Sequence, residues 1–151
     1  MDWGSLFFKF NGRINRAKFW IAILIYTVIN IVLAILSYVS DESAVVQAIN
    51  GMLGIVIFIS SLAVGTKRLH DRNKSGWYLV LFYIVPSILL VAGIAVGTIM
   101  EDSIMIAAIV GLAAAVIGVW AFVELGCLRG TIGANRYGPD PIGSPPAGAV
   151  A

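Results

Sequence analysis

Four stretches of this sequence contain no Asp, Glu, Lys, Arg or His: residues 19–40, 43–66, 75–100 and 103–123, of 22, 24, 26 and 21 residues. A helix needs about 20 apolar residues to cross a hydrocarbon core about 30 Å thick, at a rise of about 1.5 Å per residue. Each run is long enough. Strands of a membrane barrel would instead alternate polar and apolar residues over about ten positions, and runs such as Ile21-Ala22-Ile23-Leu24-Ile25 do not alternate. The expected fold is an all-α polytopic membrane protein, a four-transmembrane-helix bundle with a small cytoplasmic cap. Its spans fall at about 19–40, 43–66, 77–100 and 103–125, in one membrane domain over residues 1–141, followed by a disordered cytoplasmic tail over 142–151.

Charge content agrees with this reading. Only 12% of residues are charged against 60% hydrophobic, whereas a soluble chain carries roughly a quarter charged residues on its surface. The basic residues ahead of the first run resemble the start of a secretory signal, but the run exceeds the usual apolar core of about 7–15 residues and no small-residue cleavage site closes it. It reads as an uncleaved first span. One cysteine, Cys127, excludes an intramolecular disulfide.

Orientation follows from the loops. Lys9, Arg13, Arg16 and Lys18 precede the first span; Lys67, Arg68, Arg72 and Lys74 lie between the second and third; Arg129 and Arg136 follow the fourth. The other side holds only the acidic turns Asp41-Glu42 and Glu101-Asp102. Cytoplasmic loops carry the excess of Lys and Arg, so both termini and the central loop are expected in the cytoplasm, with the chain in the inner (plasma) membrane. The halves share a pattern of basic cluster, tryptophan, span, acidic turn and span; any four-span chain obeying the charge rule shows much of it.

Within the spans, Asn30, Gln47, Asn50 and Glu124 are the notable polar residues. Amides and small residues such as Gly51, Gly54, Ser60, Ser61 and Gly65 serve helix packing more often than a transport path. Pro86 removes a backbone donor and predicts a kink in span three. Gly93 and Gly97, facing Ala107, Gly111 and Ala115, predict close packing of spans three and four. Glu124 lies near the basic end, and a basic residue from another segment, such as Arg13 or Arg68, fits as its partner. Asn15 is the expected N-cap of the first span, and Gly12 the expected turn before it.

Three segments on the basic side are patterned beyond what a connector needs. They are Gly12-Arg13-Ile14-Asn15-Arg16-Ala17-Lys18-Phe19-Trp20; Arg68-Leu69-His70-Asp71 followed by Ser75-Gly76-Trp77; and Gly130 to Pro141, with Gly133, Asn135, Tyr137 and Gly138. Together with the four-span frame, over about residues 5–141, they resemble the Domain of Unknown Function 805 family, the YhaH-like bacterial inner-membrane proteins. Tyr78 is a mild departure. The resemblance implies a multi-pass membrane protein and supplies no reaction.

The residues themselves argue against chemistry. One histidine beside one carboxylate falls short of the three or four ligands of a metal site. Ser75 is too near His70 in sequence to make a triad without a special fold. No catalytic residue, metal, cofactor or nucleic-acid partner is expected, and Gly130–Gly138 lacks the Lys-Ser/Thr ending of a phosphate-binding loop. The structural expectation is that the second span continues to Asp71, with Lys67 and Asp71 paired four residues apart, His70 capping carbonyls and Trp77 anchoring span three. The functional expectation is an anion or lipid-headgroup site using Arg13, Arg16, Arg68, His70, Asp71, Arg72, Ser75, Gly76, Trp77, Asn135, Tyr137 and Gly138. The partners would be anionic phospholipids and, as an assembly, a homo-oligomer. The alternative is a small transporter or channel with Asn30, Gln47, Asn50 and Glu124 lining one cavity.

Overall fold

The computed structural model describes residues 3–40, 43–99 and 104–143. The two acidic turns and residues 144–151 of the expected disordered tail lie outside these. A short helix α1 (Trp3–Phe8) is followed by α2 (Arg16–Val39) and α3 (Ala44–Asp71). A π-helical turn at Val80–Ile84 leads into α4 (Val85–Ile99). Helix α5 (Ile104–Phe122) runs on into a second π-helical turn at Val123–Cys127. Four helical stretches, Arg16–Val39, Ala44–Asp71, Val80–Thr98 and Ile104–Cys127, are long and apolar enough to cross a membrane. The protein is therefore a polytopic four-helix membrane protein.

Local chemistry explains the boundaries. Helix α2 starts where Asn15 accepts the Lys18 N–H at 3.0 Å, and α3 starts where Ser43 caps Val46, each satisfying an N–H that the helix itself cannot. Helix α3 ends in a Schellman motif. The Lys74 N–H reaches the Leu69 carbonyl and the Asn73 N–H the His70 carbonyl, both at 2.9 Å. Asn73 takes the left-handed conformation, φ 56°, that this cap demands and asparagine tolerates. Pro86 sits in the first turn of α4 directly after the π-helical turn. The expected disturbance therefore takes the form of a changed hydrogen-bond register, with the Val85 N–H bonded to the Val80 carbonyl.

The helices form two hairpins, α2 with α3 and α4 with α5, and α1 packs on α3. Gly93 faces Val110 and Ala107, and Gly97 faces Ala107, as their spacing predicts. Further along α5 the stripe follows Ala114, which is buried, and leaves Ala115 exposed. Seven residues bring a helix back to within about 20° of the same face, whereas eight overshoot by about 80°.

The core lies at one end. Leu6, Ile14, Phe19, Ala22, Val64, Leu69, Leu79, Phe82 and Leu125 cluster where the basic segments emerge. Val39, Val45 and Ile104, at the opposite end, are exposed. In lipid, helices gain little from burying apolar surface against each other, so packing and polar links decide where they join. Those links concentrate at the charged end.

Candidate functional site

Asp71, the last residue of α3, is the hub of the charged end. Its Oδ1 accepts Arg13 Nε and Nη2 at 3.2 and 3.1 Å, and its Oδ2 accepts Arg68 Nη1 at 2.5 Å. All three side chains are at most 4% exposed. Arg13 also donates through Nη1 to the Gly133 and Gly138 carbonyls at 2.7 and 3.1 Å, and through Nη2 to Thr131 at 2.6 Å. A guanidinium has five N–H donors, and Arg13 makes five bonds inside the protein. The expected Lys67–Asp71 pair does not form. Lys67 faces α1 instead, its Nζ donating to the Ser5 and Leu6 carbonyls of that helix.

The end of the fourth span is satisfied in the same way. Five successive carbonyls, Leu125 to Arg129, accept side-chain donors from elsewhere. Arg68 Nε takes Leu125 at 2.7 Å, Trp20 Nε1 takes Gly126 at 3.1 Å and Arg16 Nη1 takes Cys127 at 2.8 Å. Arg68 Nη2 takes Leu128, and Arg72 Nη1 takes Arg129 at 2.5 Å. A helix C-terminus leaves carbonyls unpaired and carries partial negative charge, so arginines are apt partners. Gly126 permits the approach: a Cβ there would sit 2.7 Å from the Trp20 ring.

Glu124, buried in the π-helical turn, accepts Arg72 Nε and Lys74 Nζ, each at 3.0 Å. Its partners are basic residues of another segment, as expected, but they are Arg72 and Lys74 where Arg13 and Arg68 were the examples. Those two arginines are held by Asp71, while the α3 cap turns the chain so that Lys74 reaches the fourth span.

The segment after Arg129 folds back over this hub. Thr131 donates its N–H and hydroxyl to the Asp71 carbonyl at 2.8 and 3.0 Å. The Asn135 amide donates to the His70 carbonyl and to the Thr131 hydroxyl. Asn135 and Gly138 exchange backbone bonds across a tight turn. His70 stacks on Tyr137 with ring centroids 3.7 Å apart, and its Nδ1 lies 3.2 Å from the Gly12 carbonyl. A carbonyl can only accept, so Nδ1 carries the proton. Asp140 accepts the N–H groups of Ile142 and Gly133 at 3.0 and 2.9 Å. These bonds, Ile142's first, hold its carboxyl below the usual carboxylate range.

The structure thus joins Arg13, Arg68, His70, Asp71, Asn135, Tyr137 and Gly138 in one network, with Arg72 attached through Glu124. Ser75 and Gly76 sit in the α3–α4 turn, Gly76 close against Thr66, and Trp77 is exposed. Thr131, Lys74, Gly130 and the Trp20 indole complete the network; Lys74, Gly130 and Trp20 lie in the basic-side segments the sequence marks, and Thr131 follows from the density of turn formers after residue 129. Asn30 bonds to the Tyr26 carbonyl of its own helix and Asn50 to Ser37. Asn50 lies about 33 Å along α3 from Arg72, which is bonded to Glu124. Asn50 and Glu124 therefore do not line one cavity. Among the described residues no cluster of His, Cys, Asp or Glu could hold a metal.

This fold defines a polytopic α-helical membrane protein sealed at one end by a saturated arginine–carboxylate cap. The chain belongs to the DUF805 family, proteins of unknown function, which it matches over residues 7–139. It is similar to the inner membrane protein YhaH of Escherichia coli strain K12, at 28% identity over 93% of this chain and 97% of that protein. It is also similar to inner membrane protein YhaI of the same strain, at 24% over 87% and 85%, and to the uncharacterized protein YiiR, at 32% over 88% and 86%. No solved structure matches.

Proposed function

We propose that this chain is a non-enzymatic inner-membrane protein whose charged cap faces the cytoplasm and associates with anionic lipid. The observation that carries the reading is a division among the ten basic side chains. Arg13 and Arg68 are buried on Asp71, Arg72 and Lys74 pair with Glu124, and Lys67 is buried on the Ser5 and Leu6 carbonyls. Lys9, Arg16, Lys18, Arg129 and Arg136 have no carboxylate partner among the described residues, and Lys9, Arg16, Arg129 and Arg136 are exposed. Structural needs consume the first group, and the second leaves the cap net positive beside the lipid. Each such residue attracts an anionic leaflet by about 1 kcal/mol.

The test uses the full chain in vesicles of phosphatidylcholine and phosphatidylglycerol, with either lipid brominated so that it quenches nearby tryptophans. Trp3 and Trp77 are exposed near the cap. Stronger quenching by the brominated anionic lipid is expected, weakened by salt and lost when Lys9, Arg16, Lys18, Arg129 and Arg136 are all changed to Gln. Equal quenching by the two lipids in the unmodified protein would refute the reading.

A further inference from the structure

Two cavities meet at Trp20. The first, about 420 Å³, is lined by Asn15, Arg16 and Ala17 at the cap. The second, about 360 Å³, runs between α2 and the α4–α5 hairpin and is lined by Ile23, Tyr83 and Gly118 among others. Trp20 lines both, its indole held by the Gly126 carbonyl. A space bordered by Arg16 thus lies beside an apolar one, with the Trp20 ring as their shared wall. No carboxylate lines either cavity. Arg16 makes one bond, to Cys127, leaving four of its five N–H groups without a partner among the described residues. A Cβ on Gly118 would meet no atom within 4 Å, so the apolar space extends to the α5 backbone.

We propose that this crevice holds one phospholipid with an anionic headgroup, its phosphate on the Arg16 guanidinium and one acyl chain along Ile23, Tyr83 and Gly118. The proposal rests on the lipid-associating reading above and narrows it to a place and a stoichiometry. Charge complementarity selects the occupant. A guanidinium presents paired donors to phosphate oxygens, and the apolar cavity below it accepts a chain that a soluble anion lacks. A transmembrane helix from a second copy would fill the apolar part and leave the arginine unanswered.

The experiment is native mass spectrometry of the full chain released from nanodiscs holding equal parts phosphatidylethanolamine and phosphatidylglycerol. The unmodified chain should retain one phosphatidylglycerol per copy. Gly118→Leu, which fills the apolar cavity, should lower retention about tenfold, the effect of losing about 1.4 kcal/mol. Gly118→Ala should fall between, which separates cavity filling from misfolding. Arg16→Gln should keep a lipid while abolishing the preference between headgroups. If the preference persists in both Arg16→Gln and Gly118→Leu, the crevice site is refuted and the broader reading of the basic face survives. If the unmodified chain shows no preference, both fall. If Gly118→Leu changes the number of protein copies instead of lipid retention, the crevice is a protein interface and the proposal is overturned.

Discussion

Arg13 and Asp71 stand 58 residues apart in sequence, yet both the Nε and an Nη of the arginine donate to the same carboxylate oxygen, at 3.2 and 3.1 Å. The contact binds the segment before the first span to the end of the second. Because Arg68 holds the other oxygen and the fourth span as well, one carboxylate ties three elements together. Removing it leaves two buried guanidinium groups without a counter-charge. Asp71→Asn is expected to cost about 3–5 kcal/mol, read as a lowered denaturation midpoint in detergent. A double-mutant cycle of Arg13→Ala with Asp71→Ala should be strongly non-additive; additive effects would mean the pair is not coupled.

The cap is closed by contact at Gly130, where a Cβ would sit 1.9 Å from Asp71 Oδ2. Gly130→Ala must therefore displace the hub or the tail. Gly133 has open space but φ 76°, so Gly133→Ala meets only backbone strain of about 1–2 kcal/mol. Gly118→Ala should be nearly neutral. Thermal unfolding should rank the three in that order, and an unaffected Gly130→Ala would contradict the packing of the tail on Asp71.

The stack of Tyr137 on His70 fastens the tail to α3. Tyr137→Ala should weaken that attachment by about 0.5–1.5 kcal/mol. The faster amide exchange should be confined to residues 131–140, including the Thr131 N–H that bonds to the Asp71 carbonyl. Unchanged protection there would show that the ring contact contributes nothing.

Asp140 supplies a pH dependence. Its carboxyl is held below the usual range in the folded chain, so its stabilising effect is present above the unfolded value of about 3.9. That effect is lost as pH falls through the folded value. Acidification below about pH 4 should release the Gly133 and Ile142 amides, seen as shifts of their NMR signals, with no change between neutral and weakly acid conditions. In Asp140→Asn this acid-dependent step should vanish.

Orientation can be read with cysteines in a Cys127→Ser background. Asp41→Cys should react with a membrane-impermeant thiol reagent added outside the cell, and Arg129→Cys only after the inner face is opened. The reverse pattern would place the cap on the other side.

Much of the architecture was legible because hydrocarbon is a blunt selector. Uncharged runs of the right length become helices whatever their neighbours do, and Asn15 announces the first helix by chemistry confined to one turn. The extension of α3 to Asp71 was equally local. The partners of charged groups were not. Lys67 and Asp71 have the spacing of a helical pair, but each finds a better-placed partner on another segment, and Glu124 meets Lys74 only because Asn73 reverses the chain.

The amino-acid sequence by itself determined four apolar helices with every cation gathered at one end, since length and charge act residue by residue against a uniform solvent. Only the tertiary structure decided which of those cations are internal. Arg13 and Arg68 become buried struts because the Asp71 carboxylate lies within their reach, whereas Arg16 reaches the Cys127 carbonyl and stays at the surface. Such distances are set by how helices pack, which no stretch of sequence contains.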